Sequence, residues 1–572
     1  MNKTYYKFLR NIFPVLLLLA LVGCKEEIDL QSFVPQDPEM TLTSNQIQVS
    51  NQEEVFEIDI ESNLPWRAET KENWINIQTN SALGSGKLVF SVLRNTTLEE
   101  RQGRIRIWIT DEYEKEITVV QQPGEPTDVT VHWYVKADGT GDGSSWENAA
   151  SLSAALLNIE NDGDVIHIAE GVYAPESIIR NGQEADSRDK TFEIARNITL
   201  IGGYSSNPVE GEEPDATAHE TILSGNLGDG NTAFHVVSVT AIRSELNKVV
   251  LKGLTVSGGF ASADASNVNV DGVAFPRDHG GGIIIGAADV ELFDVNVIEN
   301  NSGRHAGGMY VFGSASVYME RCKVNSNVGV NSNSNAAGFY LDNATATLYD
   351  SEISYNSAGG VAGGIMTLNS ANIALYNSVI SGNTSRTHGC GFYNRTNSKA
   401  LLVNCVVSDN KNNTGNGGGI AAHNATTTDI VSSTIVGNTA VSGPAIYVNA
   451  GNTVNLYNSI VALNEPAANQ IVSSGTVVNK NTIVGEAVYN ADEVQVGDAT
   501  FVAEEMLELQ ENYVVLPIGD NNPAAQYGMS ALELTVLGNN LNPQVEENVI
   551  TFDKRGNSRN GLTTMGAYIQ GE

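Results

Sequence analysis

The sequence predicts an all-β protein whose greater part is a parallel β-helix, and three observations carry that prediction. The chain has 572 residues, 55 of them glycine, with only 17% charged, a composition suited to turn-dense β structure. From Val249 to Asn464 an aliphatic residue recurs three positions before an asparagine, in the pairs Val297/Asn300, Val324/Asn327, Ile353/Asn356, Ile380/Asn383, Val407/Asn410, Ile435/Asn438 and Val461/Asn464. Successive asparagines are 27, 29, 27, 27, 28 and 26 residues apart, and a glycine keeps the same beat at Gly282, Gly308, Gly338, Gly364, Gly391 and Gly419.

This period is no heptad, and β-branched runs without a helical stripe exclude helical solenoids. Stacked β coils remain, with equivalent residues ~4.8 Å apart from coil to coil. The fifth residue before each asparagine is small (Val295, Cys322, Ser351, Ser378, Cys405, Ser433, Ser459), as an inward stack in a narrow core requires. The asparagines read as turn residues that tolerate left-handed backbone and bond side chain to backbone between coils. Cys322 and Cys405 share the inward file three coils apart, roughly 14 Å and beyond disulfide reach, and so read as core thiols.

Residues 132–572 resemble the pectin-lyase-like right-handed β-helix proteins of Bacteroidetes. The resemblance rests on Trp133-Tyr134-Val135 with the glycine-rich run Gly139 to Trp146, a short amphipathic stretch Leu152–Ile159 read as the helix capping the open end, and a first coil from Gly163 to Tyr173. At the far end Asn522 to Gly528, Asp553 to Arg559 and Met565 to Tyr568 resemble a terminal cap. The resemblance implies a right-handed helix over 132–500 and C-terminal coils and cap over 501–572. It does not choose an activity, because the fold hosts lyases, hydrolases, adhesins and plain binders.

Ahead of the helix, residues 1–23 pair Lys3, Lys7 and Arg10 with an apolar run from Phe13 to Val22, too short to span a bilayer comfortably. With Leu21-Val22-Gly23-Cys24 they resemble a bacterial lipoprotein signal, implying cleavage before Cys24 and its lipidation. Lys25-Glu26-Glu27 resembles the export signal of Bacteroidetes surface lipoproteins, which places the protein on the outer membrane facing outward. Residues 24–39 form the lipidated cysteine and a tether, and 124–131 a linker. Only Cys322, Cys390 and Cys405 then remain, an odd number that argues against a disulfide framework.

Between them, residues 40–123 alternate in short runs (Thr41–Ser50, Val55–Glu61, Lys87–Leu93, Arg104–Thr110, Glu116–Val120) with the rhythm of an immunoglobulin-like β-sandwich. Trp66, Trp74-Ile75, Gly84-Ser85-Gly86, Asn95, Arg101-Gln102-Gly103 and Val120-Gln121 resemble the BACON domain, a family associated with carbohydrate-active surface proteins. Trp66, Trp74 and Trp108 read first as core, with sugar stacking the alternative; the module serves as spacer or auxiliary binder.

A formal charge of −35 repels phosphate backbones, and no basic run offsets it, so nucleic acid is not an expected partner. Polyuronates are disfavoured unless calcium or a local basic patch intervenes; neutral glycans or cationic partners fit better. No cofactor is identified, calcium being implied only for a lyase. Membrane contact is expected through the lipid alone, and a monomer is the expected assembly.

Two outward patterns are candidate sites. Asp294, Arg321 and Asp350 fill one file beside Asn296, Lys323 and Glu352, where cross-strand charge pairing accounts for the pattern better than a catalytic carboxylate pair. Before the glycine turn, Arg277-Asp278-His279, Arg304-His305 and Arg386-Thr387-His388 each join an arginine to a histidine, with His279 and His305 ~5 Å apart on adjacent coils. The insertion Phe260–Pro276 enters beside them as one wall of a groove. His279, Arg304 and His305 are therefore the candidate catalytic set, and Tyr310, Tyr340, Tyr393, Arg386 and His388 the candidate glycan-binding set. Phe392 adjoins the same file, and Tyr349, Tyr376 and Tyr457 form another.

Between Gly281 and Glu465 only seven basic residues occur, Arg304, Arg321, Lys323, Arg386, Arg395, Lys399 and Lys411, few for a polyuronate track. Neither the lyases' calcium-binding acid clusters nor a hydrolase's consecutive aspartates appear. The expected function is a non-catalytic surface lipoprotein binding extracellular or host glycans along the helix flank. The alternatives are a polysaccharide lyase or glycoside hydrolase using Arg304 with His279 or His305, and a purely structural adhesin.

Overall fold

The structure, a computed structural model, describes residues 37–569 apart from 96, 98, 125–129, 210, 229, 263–265, 413, 512, 520 and 560. The signal segment, Cys24 and most of the tether lie outside the described residues. Among those described, no helix is long and apolar enough to cross a membrane. The chain divides at Pro126/Thr127 into two compact units.

The first unit is a β-sandwich of four and five strands. Met40–Leu42, Glu54–Ser62, Gly86–Val92 and Ile75–Thr79 form one sheet, and Gln46–Val49, Tyr113–Gln121, Arg101–Thr110, Trp66–Thr70 and Ser81–Ala82 the other. The run read as one strand over 41–50 is two, because Met40–Leu42 pairs in one sheet and Gln46–Val49 crosses to the other. Alternation places Leu88, Phe90 and Val92 inward against Ile58, Ile60, Ile105, Ile107, Ile117 and Val119. Trp66 and Trp74 belong to that core. Trp66 Nε1 donates to Gly84 O at 2.9 Å, the Arg101 guanidinium lies 4.4 Å over Trp74, and Gly103 leaves room for the Trp74 ring where a Cβ would sit 2.7 Å from it. Trp108 is half-buried on the outer surface beneath Arg106.

The second unit is a parallel β-helix whose coils run through three long sheets. In one representative coil Asp289–Phe293 belongs to the first sheet, Asn296–Ile298 to the second and Met309–Phe312 to the third, with the two-residue strand Asn301–Ser302 in a short fourth sheet. Each strand pairs in parallel with its equivalent one coil on; Val290, for instance, aligns with Val317, and Val297 with Val324. One apolar core runs the length of the stack, from Val135 and Ile166 through Leu292, Leu348 and Leu402 to Val461. The first end is closed by the helix Leu152–Asn158, which Ser151 N-caps through Ala154 N and which buries Leu152 and Ala155 in that core.

The two files in the sequence are in phase because they touch. Asn300, Asn327, Asn356, Asn383, Asn410, Asn438 and Asn464 are wholly buried, and the Oδ1 of each from Asn327 on accepts the backbone N–H of the preceding one at 2.9–3.0 Å. Gly259 N–H meets Asn300 Oδ1 at one end, and Gln470 Oε1 takes the Asn464 amide at the other. The left-handed residue is not the asparagine but the one before it, Glu299, Ser326, Tyr355, Gly382, Asp409, Gly437 or Leu463, which corrects the turn role expected of the asparagines. Their side-chain bonding between coils holds. A Cβ on Gly364 would stand 2.4 Å from Gly391 O and 3.0 Å from Asn383 Nδ2, so the glycines make room for the amides.

The small file is buried as well. Cys322 N donates to Ser351 Oγ and Ser351 N to Ser378 Oγ, and burial pushes the Cys322 and Cys405 thiols up to about 12 and about 11. A second left-handed corner falls at Asp294, Arg321, Asp350, Asn377, Asn404, Ser432, Asn458 and Asn481, between the first and second sheets.

Residues 501–569 lie along the flank of the stack rather than as a plug over its end. Leu534, Val545 and Ile550 pack on Ala374, Tyr376, Leu401 and Val403 of the first sheet, while Phe501, Leu507 and Met565 pack on Val436, Ile460 and Ile483 of the second. The corner asparagines anchor this segment. Asn404 Nδ2 donates to Val549 O and Phe552 O, Asn458 Nδ2 to Thr564 O, and Asn481 Nδ2 to Tyr527 O. Arg559, fully buried, donates to Phe552 O, Thr564 O, Gly566 O and Asn404 Oδ1.

Candidate functional site

On the third sheet, Met309, Val311 and their equivalents point into the core, which turns Tyr310 and its file outward. That file runs Ile284, Tyr310, Tyr340, Met366, Tyr393, Ala421 and Tyr447 in strict register. Beside it the residue three before each glycine forms a second file, in which His279 bridges to His305, His305 to Asn335, and His388 to Asn416.

The structure brings His279, Arg304 and His305 together, and adds Asp278. His279 Nδ1 donates to Asp278 Oδ1 at 2.5 Å, and Arg304 Nη1 stands 3.5 Å from Asp278 Oδ2. The His279 ring is 4.6 Å from His305 and 4.9 Å from Tyr310. Asp278 is buried, but its bond to His279, with Arg304 nearby, outweighs desolvation and keeps the carboxyl below its ordinary range. Burial drives His305 down to about 3, so it is neutral at physiological pH. Asp278 thus fixes the His279 tautomer with Nδ1 protonated, leaving Nε2 as acceptor or base.

Three coils on, His388 joins a second cluster that the arginine-histidine motif does not reveal. His423 lies 5.5 Å from His388 and 5.2 Å from Tyr393, with Tyr447 5.6 Å beyond, and the Arg395 guanidinium is 5.9 Å from the Tyr393 ring. Burial lowers His423 to about 4 and lowers His388. Arg386 stands exposed. His423 and Arg395 occupy the fourth position after the glycine, a file that also holds Gly286, Phe312, Asp342 and Leu368; laying the coils over one another at that offset would have found them.

Tyr310, Tyr340 and Tyr393 are 6%, 3% and 4% exposed. They pack against one another and their neighbours, with Tyr310 5.3 Å from Tyr340 and its hydroxyl bonded to Asp342 Oδ2 at 3.3 Å, so their ring faces are not an open stacking surface. Phe392 is a core residue, while Tyr349 and Tyr376 stack at 4.5 Å under the C-terminal segment with Tyr457 beside them.

The insertion is a pinned wall. Its strands Asn267–Val270 and Val273–Pro276 form a hairpin that packs Val268, Val270 and Phe275 onto Ile284 and Tyr310. Arg277 binds the buried Asp189 through two bonds of 2.6 Å, and Arg180 reaches Asp271 at 2.8 Å. Phe260–Ala261 does not join the hairpin; it is a strand of the fourth sheet.

The other outward pattern is an ion pair. Arg321 binds Asp294 bidentately at 2.8 and 2.9 Å and turns to Glu320 rather than to Asp350. Glu352 accepts from Asn325 Nδ2 and the Tyr513 hydroxyl instead of pairing with Lys323. Among the described residues no group of three or more His, Cys, Asp or Glu side chains is placed to hold a metal ion.

Comparison with known proteins agrees with both units. Residues 64–122 match the family model described as BACON, a putative N-terminal binding domain, and residues 281–488 match that of the right-handed β-helix region. The chain therefore carries a BACON domain and a right-handed β-helix region, a pairing that suggests a carbohydrate-related protein. No curated protein matches it. A Bacteroides ovatus GH5 xyloglucanase, solved in complex with a XXXG heptasaccharide, aligns at 15% identity over 30% of this chain and 37% of its own, with a TM-score of 0.15. The chain spans little more than a third of that enzyme, and so loose a superposition carries no weight.

Proposed function

We propose that the chain is an exported outer-membrane lipoprotein, anchored through Cys24, that binds extracellular or host glycans along the outer surface of the third sheet, the BACON domain serving as spacer or auxiliary binder. One observation carries this reading. Of ten buried side-chain polar atoms without a hydrogen-bond partner among the described residues, four lie on this single surface: His305 Nδ1, His388 Nδ1, Arg395 Nε and His423 Nε2. An unpaired buried polar atom costs about 1–3 kcal/mol, and a hydroxylated ligand would satisfy these four together. A neutral imidazole donates from one nitrogen and accepts at the other, which suits sugar hydroxyls, and the chain's net charge of −35 turns polyanions away.

The test is retention of the full chain on insoluble neutral glycans, compared with a His388→Ala/His423→Ala variant. Retention that falls at least tenfold without new reducing ends supports the binder; unaltered retention overturns it.

The Asp278–His279 dyad favours a second reading, a polysaccharide lyase or glycoside hydrolase in which His279 Nε2 is the base and Arg304 the neighbouring cation. Reducing ends or unsaturated products, with and without calcium, that vanish in Asp278→Asn and Arg304→Ala would establish it. A polysaccharide panel left intact by the unaltered chain would rule it out.

A further inference from the structure

We propose that the outer surface of the first sheet, at the helix-capped end, holds a separate site for a neutral saccharide, built from Trp146, Tyr134 and His132. It lies on another sheet, several coils from the histidine clusters, and does not depend on their reading.

The first strand, His132–Val135, pairs with Val165–Ala169 so that Tyr134 aligns with His167. Their rings stack 5.3 Å apart at 19°, and His132 stacks on His167 at 5.1 Å and 17°. Trp146 lies across this row, 4.9 Å from Tyr134 and 5.3 Å from Tyr204. The His167 ring spends both nitrogens internally, Nδ1 on the Tyr204 hydroxyl at 2.7 Å and Nε2 on His132 Nδ1 at 2.8 Å. Burial holds it neutral, down to about 4.

Three polar groups on the rim remain without a partner among the described residues: His132 Nε2, the Tyr134 hydroxyl and Trp146 Nε1. His132 is exposed, and Tyr134 and Trp146 are half-buried. Aromatic rings bearing unspent donors suit a pyranose, whose axial C–H bonds lie on the rings while its hydroxyls meet the polar tips.

Holding the loop in place does not account for Trp146. The turn from Gly139 closes on its own backbone, Gly139 N donating to Lys136 O at 3.0 Å, Gly141 N to Ala149 O at 2.8 Å and Gly143 N to Asn148 O at 2.7 Å. A Cβ on Gly141 would lie 2.2 Å from Asn148 O, so the glycines already set this approach and the indole is surplus to it. The charged neighbours choose the ligand. Glu212 and Glu213 face the Tyr204 hydroxyl, and Asp142 and Glu147 flank Trp146 on the same loop, with Lys136 the cation beside Glu147. A uronate would be repelled and an uncharged hexose chain accepted.

The experiment titrates the full chain with cellohexaose, mannohexaose and trigalacturonate, following intrinsic tryptophan fluorescence and heat. A neutral hexasaccharide should give a saturable fluorescence shift, with affinity falling tenfold or more in Trp146→Ala and Tyr134→Ala and unchanged in Arg321→Ala, whose ion pair with Asp294 lies outside this site and both histidine clusters. Trigalacturonate should give none. The proposal is overturned if neither neutral probe binds, if Trp146→Ala binds as well as the unaltered chain, or if trigalacturonate competes equally. Should Trp146→Ala lower the melting temperature, His132→Ala, altering an exposed side chain, must still weaken binding at least threefold; unchanged affinity there overturns the proposal too.

Discussion

The backbone N–H of Asn356 and its side-chain Nδ2 both donate to one atom, Oδ1 of Asn383, each at 3.0 Å. Asn383 repeats the arrangement toward Asn410 and also donates to Ile353 O, so every amide serves the coil before it and leans on the coil after it. Asn383→Ala would strand two buried donors on Asn356 and one carbonyl. The expected loss is on the order of 3 kcal/mol, read as a lower urea midpoint and as faster hydrogen exchange at Asn356 and its neighbours.

Gly364→Ala should destabilise by roughly 1–3 kcal/mol, because the new methyl meets Gly391 O and the Asn383 amide. Gly497→Ala, where nothing lies within 4 Å, should be near neutral in the same melting experiment. Equal melting temperatures for the two variants would refute the contact between the files.

Four histidines are held neutral by burial: His167, His235 and His423 at about 4, and His305 at about 3. Their folded values lie below the ordinary 6.5, so the unfolded chain takes up protons first as pH falls. Stability is full above about 6.5 and is lost progressively toward 4. Melting temperatures measured from pH 7.5 to 4.5 should decline, and His235→Asn should flatten part of that decline. Glycan retention should stay level from pH 8 to 5.5, where His305 and His423 do not titrate.

Arg559→Met removes three hydrogen bonds to carbonyls within the C-terminal segment, Phe552 O, Thr564 O and Gly566 O, and one from that segment to Asn404 Oδ1 at the corner of the stack. Limited proteolysis should then cut within 501–569 at least tenfold faster while the coils stay protected. Uniform cleavage of both regions would show that the segment is integral to the stack rather than laid upon it.

The stack was legible from the sequence because its two files are in contact: a glycine recurs where an asparagine amide fills the space of its side chain, so both keep one beat. The flank segment was not, because its anchors pair residues such as Asn404 and Phe552 that lie far apart in the chain, and the corner asparagines read locally as turns. The Asp278–His279 pair was partly legible, its members being adjacent and next to Arg277. His423 was not, having no arginine beside it and belonging to a file whose other members are mostly apolar.

From each glycine to the following asparagine the chain counts eighteen or nineteen residues, whereas from asparagine to glycine it counts eight, eleven, eight, eight and nine. The amide chain punctuates the protein so that the larger length changes fall on the short side, next to the third sheet, while the long side varies by a single residue. Whole units could be duplicated or deleted in evolution without redesign, since each new amide would find the same acceptor waiting, while an insertion of several residues on the long side would have to fit between strands already in register with both neighbouring coils. Diversity would thus accumulate at the loops bordering the histidine-bearing surface, and the rest of the molecule would lengthen or shorten by complete turns.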